Sequence, residues 1–277
     1  MNKTQLVKAE GFRELHKQAA TFVLPDAWDV MSAKAFEQSG FKAIATTSAG
    51  IAKSLGYADG QDMPFEQLIE VVSLIANAVN VPVSADIEAG YGFTVEEIAD
   101  NVRQVIEVGA VGINIEDGTG DFDGPVMDLD LQIENIIAIR ALSDSLNASL
   151  FINARTDMYW ANVGNPEVRF QEAIKRALAF ESAGADCIFI PGLTDLKIIE
   201  EFRKEIAVPI NLLAHPKLPS LKVLSQIGVE RVSCGTGPFR AVSTLLKNIS
   251  DEIINDRSFN EMTNLSCTRA YTQTRNM

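Results

Sequence analysis

Cysteine, histidine and positive charge are all scarce in this chain. Three cysteines, Cys187, Cys234 and Cys267, are spread through 277 residues without a CxxC spacing. That pattern excludes a disulfide framework and a structural zinc site. Cys187 and Cys234 fall in strand-like apolar runs and read as small core residues. Of the two histidines, His16 is expected on the surface of a first helix and His215 in a water-facing loop. Lys and Arg number 24 against 37 Asp and Glu, a formal net charge of −13. A phosphate backbone or an anionic membrane demands a basic face, so neither nucleic acid nor membrane is an expected partner. A small anionic substrate stays open, because a local cation or metal inverts the local field. Long apolar runs are missing as well. None approaches the roughly 18 residues that a transmembrane helix needs. The opening MNKTQLVKAEGFRELHKQ is charged throughout and shows no apolar targeting segment, so the cytoplasm is the expected compartment.

What is present is a globular composition, 47 % hydrophobic and 22 % charged. Short β-rich apolar runs recur eight times: residues 21–24, 43–46, 82–86, 112–116, 150–154, 187–190, 209–212 and 231–233. Runs without alternation suit parallel strands buried on both faces. Between them lie helical patterns over 65–79, 95–108, 129–146, 166–183 and 196–206. Thr94 before VEEI and Asn165 before Pro166 read as helix caps. Gly109 and Gly184 sit where helices would stop. Eight β-then-α units predict an α/β fold of the (β/α)8 TIM-barrel class. A doubly wound open sheet would need a glycine-rich turn after the first strand, and LPDAWDVMSAKAF has none. The chain reads as one barrel domain over 1–277. Residues 240–277 form its C-terminal helical extension and polar tail.

In such barrels the chemistry sits at the carboxyl ends of the strands. Asp86 and Glu88 follow strand three, and Glu116 ends strand four. Adjacent strands would bring these acids to one rim, where they repel unless protons or a cation intervene. A hard divalent ion with oxygen ligands, Mg2+ or Mn2+, is the economical answer. A hydrogen-bonded acidic rim is the alternative. Arg155, one strand on, suits a substrate carboxylate or a salt bridge to Glu116 or Asp157. Ser48-Ala49-Gly50 offers a hydroxyl and bare backbone N–H groups for an anionic oxygen. Thr119–Gly124 imitates a calcium loop only in part and reads better as a lid with glycine hinges. Gly235-Thr236-Gly237 sits where many barrels bind phosphate. Trp28 and Trp160 are expected to pack, with Tyr91 and Trp160 as candidates for the mouth.

LPDAWD, TTSAG…SLGYADG, ADIEAGYG, GINIEDG, NARTD and GTGPFRA, in this order from about residue 8 to about 245, resemble the isocitrate lyase/phosphoenolpyruvate mutase superfamily. The resemblance implies a (β/α)8 barrel whose C-terminal helix packs on a neighbouring subunit, hence a homodimer or homotetramer. It implies Mg2+ and a 2-oxo or 2-hydroxy carboxylate, with bond breaking next to a pyruvate enolate. Asp86 would be the direct metal ligand, with Glu88 and Glu116 reaching the ion largely through water. Glu88 stands where many members have aspartate. Ser48, Ala49 and Gly50 would hold the substrate carboxylate; Asn211, from its own place at the end of strand seven, is a further candidate for the substrate site. Asp59 would orient the substrate, and Arg155 would clamp the carboxylate or stabilise the enolate.

Departures narrow the expectation. The loop 118–127, GTGDFDGPVM, lacks the cysteine, lysines and histidine of the lyase branch. It also lacks the lysine and asparagine of the mutase branch. Ile190-Pro191-Gly192 carries neither the histidine nor the glutamate found there in those branches. A pared-down site of metal, arginine and backbone suits decarboxylation of a 2-oxo dicarboxylate such as oxaloacetate. It also leaves open a retro-aldol cleavage of a 2-hydroxy acid. Phosphonopyruvate chemistry is the first alternative, and a non-catalytic metabolite-binding barrel the second.

Overall fold

A computed structural model describes residues 3–121 and 123–263. Its sheet contains nine parallel strands because proline divides the first of the expected eight. β1 (Phe22–Leu24) pairs with β9 (Arg231–Ser233), and β2 (Asp26–Ala27) pairs with β3 (Ile44–Thr46). Pro25 stands between them and has no N–H to give to either ladder. The flanking carbonyls still accept: Cys234 N–H donates to Leu24 O at 3.1 Å and Ala45 N–H to Pro25 O at 2.8 Å. The opening strand thus passes its hydrogen bonding from the last strand to the second, and the sheet closes. Between these run β4 (Val83–Asp86), β5 (Gly112–Glu116), β6 (Phe151–Arg155), β7 (Cys187–Phe189) and β8 (Ile210–Leu213), in sequence order around the barrel.

The helices follow the apolar periodicity. α4 (Phe65–Ala78), α5 (Val95–Glu107), α6 (Leu129–Ser145), α7 (Pro166–Ser182) and α8 (Leu196–Glu205) lie within two residues of the expected spans. Thr94 caps α5 in a reciprocal box with Glu97, and Asn165 caps α7 ahead of Pro166. Three shorter helices complete the ring: α2 (Val30–Gln38), α3 (Ser48–Leu55) and α9 (Leu221–Ile227). Before them, α1 (Lys3–Leu15) lies across the amino ends of the strands. Its side chains reach the segments that enter β4 to β7. Lys8 donates to Val79 O at 2.9 Å, Gln5 to Ala110 O at 3.0 Å and Arg13 to Leu150 O at 2.9 Å, and Arg13 pairs with Asp186 at 2.5 Å. Phe12 of α1 joins Leu24, Ala45, Phe151 and Cys187 in the floor of the barrel.

His16 corrects an expectation. It is buried, not on the surface. Its ring stacks on Phe151 with centroids 4.1 Å apart and meets Phe12 and Phe22 edge-on. Nδ1 must donate to Phe12 O at 2.9 Å, because a carbonyl only accepts. Burial, with nearby Arg231, pushes its pKa down to about 3, so it is neutral.

The barrel unit ends at Thr236, and α10 (Gly237–Asn255) and α11 (Asn260–Thr263) form a second unit. The polar tail beyond residue 263, with Cys267, lies outside the described residues. Among the described residues, no helix is long and apolar enough to cross a membrane.

Candidate active site

The carboxyl ends of β3 to β6 gather the predicted acids and arginine. Thr46 Oγ1 accepts the Asp86 backbone N–H at 3.0 Å, which ties the ends of β3 and β4 together. The next residue, Thr47, is extended and caps α3 by accepting Gly50 N–H at 3.2 Å. Ser48 opens the helix and donates both its N–H (3.0 Å) and its hydroxyl (2.7 Å) to Asp86 Oδ2. Ser48-Ala49-Gly50 is therefore the first turn of a helix rather than an open turn, and two of its N–H groups already have partners. Gly50 is required there on steric grounds. A Cβ would stand 2.6 Å from Thr47 Cγ2 and 3.2 Å from Trp28 Cβ. Asp86 Oδ1 is buried and has no hydrogen-bond partner.

Glu88 lies on the sharp loop after β4 in the left-handed region, φ +51°, as does Tyr91 at +55°. Left-handed backbone away from glycine stores strain, which concentrates at functional loops. Glu88 Oε1 accepts Tyr91 O–H at 2.6 Å and Oε2 accepts Gln61 N–H at 2.7 Å. Burial pushes Glu88 up to about 7. The bonds from Tyr91 and Gln61 oppose the rise, while Asp86 and Asp59 add to it. Asp59 is exposed on the loop between α3 and α4. Partial burial and the charge of Asp86 raise its pKa, and Lys53 and Arg155 oppose them.

Glu116 ends β5 in register with Arg155 at the end of β6. Arg155 Nη1 lies 2.5 Å from Glu116 Oε2. Its Nε and Nη2 donate to the two oxygens of Asp157 at 2.6 and 2.9 Å. Burial holds Glu116 well above the usual carboxylate range in spite of Arg155. Arg155 meets the same burial, but Glu116 and Asp157 keep it protonated. The residue after Glu116, Asp117, accepts Asp157 N–H at 2.7 Å and an Arg176 guanidinium N–H at 3.2 Å. Arg176 also donates to Met127 O at 3.0 Å, fixing the far end of the 118–127 loop. Gly118 pairs with Val126 across the base of that loop. Residue 122 lies outside the described residues.

Asp86, Glu88, Glu116, Arg155 and the start of α3 therefore stand at one rim. Asn211 is fully buried in β8, bonded to Ser233 at 3.1 Å and in register with Phe189, which itself pairs with Arg155. His215 is exposed, as expected. Gly235 N–H donates to buried Asp26 at 2.7 Å, which makes that turn structural. Sequence reasoning did not single out Arg176, Asp117, Gln61 or Arg231. Arg231 is fully buried with Nη1 and Nη2 unpartnered. An arginine inside a short apolar strand run was the available signal.

Among the described residues, no three His, Cys, Asp or Glu side chains stand grouped as a ready metal cage. Each acid is turned toward a protein donor. The set nevertheless fits a hard cation. Asp86 keeps an unpartnered buried oxygen, and burial holds Glu88 and Glu116 toward their neutral forms, which a bound cation would reverse.

Residues 12–254 match the family described as phosphoenolpyruvate phosphomutase. An uncharacterised protein of Mycobacterium tuberculosis is 38 % identical over 83 % of each chain. Oxaloacetate decarboxylase of Pseudomonas fluorescens is 29 % identical over 93 % of this chain and 88 % of that one. A protein from Burkholderia cenocepacia described as a lyase/mutase superposes with a TM-score of 0.91. It is 31 % identical and covers 98 % of this chain and 96 % of its own. Phosphonopyruvate hydrolase, in complex with oxalate and Mg2+, superposes with a TM-score of 0.81 at 26 % identity over 92 % and 90 %.

Proposed function

The chain belongs to the phosphoenolpyruvate phosphomutase family, within the isocitrate lyase/phosphoenolpyruvate mutase superfamily, and on that premise we propose that it is a Mg2+-dependent carbon–carbon lyase or decarboxylase. Its substrate is a small 2-oxo or 2-hydroxy carboxylate, with oxaloacetate the reference compound. The observation that carries this reading is the pairing, at one rim, of Asp86 with its unpartnered oxygen and Arg155 with its charge secured.

Asp86, with Glu88 and Glu116, would hold the ion. When bound, Mg2+ supplies positive charge beside the 2-oxo oxygen of the substrate. The likeness to a phosphonopyruvate hydrolase that holds oxalate and Mg2+ supports this assignment. Ser48 fixes the rotamer of Asp86 through two bonds to one oxygen, which leaves the other free. Arg155 uses one N–H of each terminal nitrogen on Glu116 and Asp157, so each retains a second N–H for a substrate carboxylate. Asp59, exposed at the same mouth, orients the substrate. In oxaloacetate the C3–C4 bond breaks, CO2 leaves and the bonding pair passes into the pyruvate enolate. A proton from water then completes C3. Positive charge set in place before the reaction meets the negative charge as it develops. No base is needed to begin, which agrees with a 118–127 loop free of cysteine, histidine and lysine.

The test is methyl exchange of pyruvate in D2O with Mg2+, followed by NMR, and then a panel of oxaloacetate, phosphonopyruvate and substituted malates. Exchange that vanishes in Asp86→Ala, together with CO2 from oxaloacetate, is the expected result. Phosphate from phosphonopyruvate without CO2 would transfer the assignment to P–C chemistry. Neither exchange nor Mg2+ binding would leave a non-catalytic barrel.

A further inference from the structure

Trp28 and Trp160 are the two tryptophans of the chain. Trp28 is 7 % exposed and Trp160 is 56 % exposed. The backbone that carries Trp160 is fixed. Ala161 N–H donates to Asp157 O at 2.8 Å and Val163 N–H to Met158 O at 3.0 Å, closing a turn directly after β6. The loop after β7 braces it from the other side at Gly192, φ +85°. A Cβ there would come within 3.0 Å of the Tyr159 carbonyl and 3.2 Å of Trp160 N. A single exposed apolar side chain needs no explanation by itself. The neighbour of this one does: Arg155 Cζ lies 6.0 Å from the Trp160 ring centroid and 5.8 Å from that of buried Phe189. The guanidinium of the site thus stands near both a buried phenyl and an open indole.

We propose that Trp160 is a specificity-determining residue, its indole the wall for an apolar substituent on C3 of the substrate. The favoured class is a 2-oxo or 2-hydroxy dicarboxylate carrying an alkyl group at C3. The inference rests on the proposed role of Arg155 as the carboxylate clamp. With the guanidinium carbon 6.0 Å from the indole centroid, a carboxylate held by the remaining N–H groups of Arg155 would bring its adjoining carbons within reach of the indole. An alkyl group there leaves water for an aromatic face. One such group in an apolar site is worth about 10- to 200-fold in kcat/KM.

Trp160→Ser and Trp160→Phe provide the test, with far-UV circular dichroism to show that both fold. Oxalate binding with Mg2+ is measured by calorimetry and by tryptophan fluorescence. Oxaloacetate and 3,3-dimethyloxaloacetate are compared as substrates. Oxalate, which has no substituent, is expected to bind Trp160→Ser within about fivefold of wild type, the most an exposed cation–π contact contributes. The fluorescence response should shrink to that of Trp28 in Trp160→Phe while calorimetric binding persists. The preference for the dimethyl substrate over oxaloacetate should fall about tenfold or more in Trp160→Ser and largely return in Trp160→Phe. Oxalate binding by wild type with an unchanged preference in Trp160→Ser would overturn this inference alone. So would a fluorescence response that follows protein concentration rather than ligand and so reveals a second copy over the indole. Failure of wild type both to bind oxalate and to turn over either substrate would overturn the proposed function, and this inference with it.

Discussion

Arg155 meets two carboxylates, Glu116 through one terminal nitrogen and Asp157 through a fork. The fork depends on the planar geometry of guanidinium, which lysine cannot copy. Arg155→Lys keeps a positive charge between Glu116 and Asp157, so the fold is expected to survive with a small loss of Tm. kcat/KM for the carboxylate substrate is expected to fall about 10²- to 10³-fold, the scale of removing one group that stabilises developing negative charge. Arg155→Met leaves both acids unpaired and should cost in addition about 3–5 kcal/mol of stability, measured by denaturant titration. A second residue-scale prediction concerns Asp26, pushed up to about 7 chiefly by burial, with Arg231 and the Gly235 N–H opposing and Asp86 adding. The folded chain then holds a proton that the unfolded chain releases near pH 4. The stabilisation from that proton is complete below about pH 4 and is lost as pH rises through about 7. The Tm of the metal-free protein should therefore decline across that window. Asp26→Asn retains an acceptor for Gly235 N–H and should make the decline shallower. Identical slopes in a calorimetric pH series would refute this.

At the scale of elements, α3 shows where reading the sequence stops. The alternation of buried runs and 3.6-periodic stretches made the barrel legible, because both signals are local. The positions of Asp86, Glu116 and Arg155 were legible too, since a strand end in a barrel has one destination. SAGIAKSL is different. Its first turn holds glycine and serine, poor helix formers, and only Thr47 as cap and Asp86 as a remote acceptor make it helical. The contact with Asp86 spans 38 residues in sequence and leaves no periodic trace. The split at Pro25 is similar: the proline is visible, but the partner on each side of it is decided by closure of the sheet. Gly50→Ala tests the tight start of α3. Its Cβ would overlap Thr47, so overpacking should cost about 1–3 kcal/mol. The displaced Ser48 should loosen its hold on Asp86. Weaker Mg2+ binding by calorimetry, with circular dichroism unchanged, is the expected outcome. Unchanged metal affinity would show that α3 does not position Asp86.

The whole molecule carries a charge of −13 and a second unit whose long helix is amphipathic when taken by itself. Val242, Leu245, Leu246, Ile249 and Ile253 recur at spacings of three and four along α10. A homodimer or homotetramer is the proposed assembly, with these residues in its interface. Leu246→Glu combined with Ile249→Glu should lower the sedimenting mass, and a wild-type monomer at all concentrations would remove the proposal. The charge bears on the cation site through stability. Acids at one rim repel in the metal-free chain, and an ion that binds only the folded state relieves that repulsion as it binds. At 100 times its Kd, Mg2+ should add about 2.7 kcal/mol, or roughly 5–10 °C in Tm for a chain of this size. Asp86→Asn keeps the shape and an acceptor for Ser48 but removes the charge, so its Tm should ignore Mg2+. Equal Mg2+ responses in wild type and Asp86→Asn would place the ion elsewhere on this acidic surface. No response in either would mean that the rim acids are settled by protons and their own hydrogen bonds.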